Sequence, residues 1–323
     1  MSEYVFNVAS NDEQNGGMHA ASVLVATLVE TLAQLDDQLA GPPRPFKLPQ
    51  DPWELLITVN AAGEAVSLGE IINDFYGDSR TRELASYFDA LQCYSPAAEY
   101  LDDQAIEAIL RLEPTGPAAG HEAVYEAICD SGIDAMQCAV MDGTLISLAH
   151  ARWDFDLASV MCGNCQIYFD HASRPPHVNA IFDRRLNAAR ADITLRNFEA
   201  ARHNAFSSLH WGQDVAEQLK QFPSEYLGLA FKRLASLDDI ARRWQDTGSA
   251  VPDPRGLELK GESDLTMQNY ANLRRFRSST GEMRTYETHI WIDQGNRIHL
   301  FLNNEERTIE VGYVGKHLRT WRF

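Results

Sequence analysis

The chain has 323 residues, 45% of them hydrophobic, which is enough for more than one ordinary folded core. Its net charge of -18 argues against a protein whose whole surface binds nucleic acid, because a uniformly acidic surface repels phosphate. Five cysteines scattered over this length do not make a disulfide scaffold; they suit a reducing compartment, and a cytoplasmic location is expected.

The charge is unevenly spread. Residues 1–202 carry 12 Lys and Arg against 30 Asp and Glu, whereas residues 203–323 carry 16 of each. From Tyr270 onward the bases lead by 9 to 6. An acidic front and a neutral-to-basic back point to different partners.

A polar, loop-like start gives way to a helix predicted from His19 to Leu39, where Val25, Leu28, Leu32, Leu35 and Leu39 recur at spacings of three and four. Gly41-Pro42-Pro43 stops it. Ser22, Thr27 and Glu30 interrupt its apolar run, so neither a signal peptide nor a membrane span is expected. Trp53 to Val59 reads as a strand with a turn at Ala61 to Glu64. Helices follow at roughly Leu68 to Phe88 and at Asp102 to Leu112, and Pro114-Thr115-Gly116-Pro117 marks a boundary. No spacing of nucleophile, base and orienting group stands out, so residues 1–115 are expected to form an acidic α/β interaction or regulatory domain.

A small middle domain, 116–203, is expected to hold a helix from His121 to Ser131, a more extended stretch from Met136 to Leu148, and a long helix from Val178 to His203. It contains the one metal-like motif, Cys162-Gly163-Asn164-Cys165, followed by His171 and His177. Two thiolates three positions apart can grip zinc, and later histidines can complete a tetrahedron. Without a second cysteine pair the simplest reading is two unconnected reduced cysteines, with structural zinc as the lesser alternative and a redox pair behind it. Cys93, Cys129 and Cys138 read as buried small hydrophobes.

The last domain, 204–323, opens with a strand at Phe206 to Trp211 and a helix at Gln213 to Phe222. Pro223 then starts a second helix whose apolar side is Leu227, Leu229, Phe231, Leu234 and Leu237. A polar connector, Asp246 to Glu262, leads to three apolar-aromatic runs: Tyr286 to Ile292, Arg297 to Leu302, and Thr308 to Val314. Asp293-Gln294-Gly295-Asn296 and Asn303 to Arg307 separate them, predicting an antiparallel three-stranded meander. Alternation puts Ile298, Leu300 and Leu302 in its core and leaves Arg297 and His299 together on the exposed face. Arg274, Arg275 and Arg277 read as a solvated or docking surface.

The order of strand, helical hairpin and basic sheet resembles the RelE/ParE toxin superfamily over about residues 205–323. The resemblance rests on Leu219-Lys220-Gln221-Phe222-Pro223 at the hairpin, Gly295-Asn296-Arg297-Ile298-His299 in the sheet, and Val311-Gly312-Tyr313-Val314-Gly315-Lys316-His317 at its end. It implies an α+β multidomain chain ending in a helical hairpin packed on a small antiparallel sheet. It further implies a toxin-like effector within a defence or toxin-antitoxin-like system, either a metal-independent endoribonuclease acting on RNA or the ribosome, or an inhibitor of a DNA topoisomerase. The acidic front, or a separate regulatory protein, would restrain or target it. A catalytically inactive protein-interaction module is the remaining alternative.

Metal-free RNA cleavage needs a base for the 2'-hydroxyl, cations for the phosphorane oxygens and an acid for the departing 5'-oxygen. Arg297, Arg284 and Lys316 suit the phosphate, and His317 or His299 suits proton transfer. Tyr286, Tyr313 and Trp321 offer rings on which bases stack, and Arg277 and Arg319 can join the substrate path. No cofactor is expected for catalysis, and no membrane partner.

Overall fold

The computed structural model describes residues 3–11, 16–38, 44–94 and 103–321, as a mixed α+β chain in two compact units, Met1–Arg184 and Arg185–Phe323. The first unit runs β1 (Tyr4–Phe6), α1 (Met18–Gln38), β2 (Phe46–Lys47), β3 (Leu56–Val59), β4 (Ala65–Ser67), α2 (Leu68–Phe75), α3 (Arg82–Tyr94), α4 (Asp103–Arg111), β5 (Gly116–Pro117), α5 (Tyr125–Met141), β6 (Thr144–Ile146), β7 (Leu157–Cys162) and β8 (Cys165–Ala172), and ends within α6 (Pro175–Asp192). Its six-stranded sheet has the order β2-β1-β6-β8-β7-β5, with β1, β2, β6 and β8 parallel and β7 antiparallel to β8. Helices cover both faces, and the period-two alternation of β1 sorts them: Tyr4 and Phe6 join a core with α1, α2, α3 and α6, while Val5 joins another with α4 and α5.

This sheet draws strands from both sides of the Pro114 to Pro117 cluster, with β1 bonded to β6 and β5 to β7, where the sequence suggested a division at 115/116. The Pro/Gly run is a connection inside one unit. The apolar stripe of α1 packs as predicted, burying Val25, Leu28, Leu32 and Leu35 in the core; Leu39 lies outside the described residues. Among the described residues α1 is the one helix long and apolar enough to cross a membrane by length and composition.

Several expected elements differ in extent. The strand expected from Trp53 begins at Leu56, and the Trp53 ring instead lies against Gly69, where a Cβ would come within 2.7 Å of it. The single helix expected from Leu68 to Phe88 is two, α2 with a Ser67/Glu70 capping box and α3, parted by the turn at Gly77 and Asp78. The stretch from Met136 that reads as extended is still helical to Met141, where Asp142 ends α5 in a left-handed conformation. Cys138 is buried as expected, but Cys93 and Cys129 are exposed.

The second unit holds the end of α6, then α7 (Phe198–Ala205), β9 (Leu209–Trp211), α8 (Val215–Lys220), α9 (Ser224–Thr247), β10 (Lys260–Gly261), α10 (Asp264–Tyr270), β11 (Arg275–Arg277), β12 (Met283–Thr285), β13 (Thr288–Trp291), β14 (Asn296–Asn303) and β15 (Thr308–Lys316). It starts before the expected residue 204 because Ile193 and Phe198 belong to its core, and Arg190 pairs with the fully buried Asp238 of α9 at 2.7 Å. The helix predicted over 178–203 breaks where Asn197 Oδ1 accepts from Thr194 N at 2.7 Å and Asn197 Nδ2 donates to Asp192 O at 2.9 Å.

Pro223 immediately precedes α9, as its fixed φ suits a helix entry. The predicted meander is present as β13, β14 and β15, extended to a five-stranded sheet of order β10-β13-β14-β15-β9 with β9 parallel to β15. Ile290, Ile298, Leu300, Ile309 and Val311 face the helices, in one core with Leu234, Leu237, Ile240 and Trp244 of α9. The opposite face lies under the β11–β12 ribbon, as shown by Phe276 stacked on Tyr313 with ring centroids 4.8 Å apart.

Candidate functional site

The second face of this sheet is polar, and strand register builds it. In β13 and β14, His289 stands opposite His299 and Trp291 opposite Arg297; in β15, Tyr313 is opposite His299 and Gly315 opposite Arg297. Arg297 and His299 therefore share a face, as alternation predicts, while Ile298 and Leu300 point into the core. The expectation that the two are exposed does not hold: Arg297 is 3% exposed and His299 fully buried. Alternation fixes the side of a sheet a residue takes, and the chain folded over that side decides its depth.

Two glycines make room for this layer. A Cβ on Gly312, at the register shift between His299 and Leu300, would sit 2.4 Å from the Tyr286 ring, and one on Gly315 would sit 2.4 Å from the Tyr313 hydroxyl oxygen. Arg297 lies with its guanidinium carbon 3.5 Å from the centroid of the Trp291 ring, and its Nη1 donates to Asp293 O at 2.7 Å and Asn296 O at 2.9 Å. Asp293 in turn accepts from the Gly295 and Asn296 amides, which shapes the turn between β13 and β14.

The two-residue strand β10 pairs with β13 and carries Glu262 to this face, its amide bonded to Glu287 O at 3.1 Å. Arg274, fully buried, donates to Glu262 Oε1 from Nε at 2.8 Å and lies 2.7 Å away through Nη2. Its other hydrogen bonds go to Tyr270 O and Arg319 O at 3.1–3.2 Å. Arg274 is thus a buried strut, where the sequence suggested a solvated or docking residue. His289 Nδ1 lies 3.6 Å from Glu262 Oε1. His299 Nδ1 is 3.1 Å from Tyr286 O; a carbonyl only accepts, so this nitrogen carries the proton and Nε2 presents a lone pair. Burial, followed by the neighbouring His289, pushes the His299 pKa down to about 3.

A pocket of about 650 Å³ opens beside this cluster, lined by Glu262, Ser263, Leu265, Thr266, Trp291, Gln294, Arg297, His317, Thr320 and Trp321. Ser263 caps α10 by accepting from the Thr266 amide at 3.3 Å, and Thr266 Oγ1 accepts from the Trp321 amide at 3.3 Å, tying the C-terminal segment to one wall. His317 enters just past β15, with its amide donating to Gly295 O at 2.7 Å. Burial and then the Arg297 guanidinium lower its pKa.

Of the four residues expected to act in catalysis, Arg297 and His317 meet in this pocket, and His299 lies buried on the same face outside its lining. Lys316 is exposed and pairs with Asn296, so alternation turns it to the face of Ile298 and Val314, away from Arg297. Arg277 is ion-paired with Asp214, and Arg284 with Glu310 at 2.6 Å while covering Phe301. Tyr286 is fully buried, and Tyr313 packs on Phe276 and donates to Lys316 O at 3.0 Å, so neither ring is free to stack on a base. Arg319 gives its carbonyl to Arg274 and lays its side chain over Tyr270. Glu262 carries no signal in the sequence, because nothing in the polar connector indicates a two-residue strand that docks beside His289.

The cysteine motif is a hairpin. Cys162 and Cys165 are register partners at the ends of β7 and β8, with Gly163 at φ +60° in the turn. His171 sits six residues further along an extended strand, roughly 20 Å away at about 3.3 Å per residue, so the four expected ligands do not converge. His171 is fully buried, 2.8 Å from Ser147 Oγ and 2.6 Å from Phe155 O, and His177 meets Asp154 Oδ1 at 3.1 Å. Both have structural roles in the first unit.

No family model, curated protein or solved structure matches the chain.

Proposed function

We propose that the Arg185–Phe323 unit binds single-stranded RNA in the pocket formed by Glu262, Arg297 and His317 and cleaves it without a metal. The observation that carries this reading is the convergence of a carboxylate, a guanidinium and an imidazole from three segments into one concavity walled by the partly exposed rings of Trp291 and Trp321. Charge supports it: residues 185–323 carry 20 Lys and Arg against 18 Asp and Glu, residues 1–184 only 8 against 28. The polyanion is tolerated by the second unit and repelled by the first, whose acidic surface suits a cationic regulatory partner.

In the proposed reaction Glu262 takes the proton of the 2'-hydroxyl and the 2'-oxygen attacks phosphorus. The bond from phosphorus to the 5'-oxygen breaks, and His317 gives that oxygen its proton from the imidazolium form, which its lowered pKa confines to mildly acidic pH. The products are a 2',3'-cyclic phosphate and a 5'-hydroxyl. Arg297, held against the Trp291 ring, binds the non-bridging oxygens, where charge accumulates in the transition state, and Trp321 holds a flanking base by stacking. Arg274 fixes the carboxylate of Glu262, as a positioning residue.

The test is binding of a fluorescently labelled single-stranded RNA by the full chain. Arg297→Ala, with an unchanged circular dichroism spectrum, is expected to weaken binding about tenfold or more, for a lost charge-assisted phosphate contact of about 1.5–3 kcal/mol. Lys316→Ala should bind as the wild type does. A chain that binds no RNA, or binds it equally well with Arg297→Ala, overturns the reading and leaves the protein-interaction alternative.

A further inference from the structure

Beneath the pocket, Glu262, His289 and His299 each offer one ligand atom within 4.8 Å of the others. Two of these residues are buried histidines with an imidazole nitrogen that has no hydrogen-bond partner: Nδ1 of His289, 8% exposed, and Nε2 of His299, fully buried. A buried nitrogen lone pair without a donor costs free energy unless something fills the space it faces. The carboxylate retains acceptor capacity beyond Arg274, because both guanidinium contacts are made to Oε1. We infer that Glu262, His289 and His299 form a binding site for a divalent first-row transition metal of the zinc class.

The donor set is the reason for that class. Two neutral imidazoles and one carboxylate are the ligands of three-residue zinc sites that leave a further position open. Zinc bonds of about 2.0–2.1 Å put tetrahedral ligand atoms roughly 3.3 Å apart. His289 Nδ1 lies 3.6 Å from Glu262 Oε1, the oxygen that Arg274 holds, and the three ligand atoms lie within 4.8 Å of one another, so an ion must draw them together by up to about 1.5 Å. His299 is also held as metal-bound histidines are, with its other ring nitrogen donating to a backbone carbonyl, Tyr286 O at 3.1 Å. Glu262 lines the open pocket, which gives an ion a path from solvent and gives the open coordination position an outlet. Arg274 and Arg297 lie nearby and oppose a dication, so binding is weaker than at a site surrounded by acids.

The inference shares Glu262 with the RNA reading but does not rest on it. A metal that takes the carboxylate lone pairs removes the proposed base, so added zinc is expected to suppress metal-free RNA cleavage.

The experiment titrates the chelator-stripped full chain with Co2+, in the absence of RNA, and follows the visible ligand-field absorption. One equivalent is expected to bind, with the spectrum of a nitrogen and oxygen site, and one equivalent of Zn2+ should abolish the signal. His289→Ala and, as an independent variant that keeps the shape of the side chain, Glu262→Gln should each lose that equivalent while keeping the circular dichroism spectrum. The Cys162→Ser/Cys165→Ser double variant should retain it. No binding by the wild-type chain, binding undiminished in the Glu262→Gln chain, or loss in the cysteine variant overturns the proposal. Because no RNA is present, failure of the RNA reading leaves this result untouched.

Discussion

Replacing Arg274 with Met tests the polar layer under the terminal sheet. Arg274 is fully buried and donates to Glu262, whose side chain is 6% exposed, and to two backbone carbonyls, Tyr270 O and Arg319 O. Methionine fills much of the same volume with no donor. Removing one partner of a buried ion pair costs about 3–5 kcal/mol, because the remaining charge has neither water nor a counter-ion. Two orphaned carbonyls add roughly 1 kcal/mol each. At about 2–4 °C per kcal/mol for a domain of this size, the calorimetric transition of the second unit should fall by roughly 10–30 °C. Adding Glu262→Met should recover a large part of that loss, since the doubly apolar site holds no unpaired charge. A single variant that costs less than about 1 kcal/mol, or a double variant less stable than the single one, refutes the view that this pair is tightly coupled and desolvated.

Gly312→Ala places a Cβ 2.4 Å from the Tyr286 ring, which Phe276 and the β12 to β13 connection hold in place, and should cost about 1–3 kcal/mol in a thermal melt. His171 should make the first unit acid-sensitive: burial lowers its folded pKa from 6.5 to about 3, so the neutral form is favoured in the fold. The unfolded chain therefore binds the extra proton, and stability is full above pH 6.5 and lost as pH falls toward 3, at up to about 1.4 kcal/mol per pH unit. Urea titrations of the first unit at stepped pH should show this slope, and His171→Gln should remove it.

Much of the terminal sheet is legible in the sequence because its two turns are built from Asp, Gly, Asn and Glu and its strands alternate cleanly. The facing of Ile298 and Leu300 against Arg297 and His299 follows from that alternation alone. What is not legible is what comes back to cover the polar side. Glu262 and Arg274 sit in stretches without periodicity, and they reach the sheet through a two-residue strand and a short turn, where contacts distant in sequence outweigh any local signal. The cysteine motif misleads for a related reason. Spacing of two thiols satisfies a hairpin turn as well as a zinc site, and the extended strand that follows carries His171 out of reach. Likewise, Pro and Gly at 114–117 are compatible with a domain boundary, and only the pairing of β5 with β7 shows that the chain stays in the same sheet.

The most direct test of the RNA reading is the product of cleavage. The full chain is incubated with a defined single-stranded RNA, with and without translating ribosomes, and the new ends are analysed. The expected products are a 2',3'-cyclic phosphate and a 5'-hydroxyl, abolished by Glu262→Gln, Arg297→Ala or His317→Ala and retained by Lys316→Ala. Cleavage that survives His317→Ala with the same ends, or no cleavage under either condition, contradicts the proposed use of this pocket.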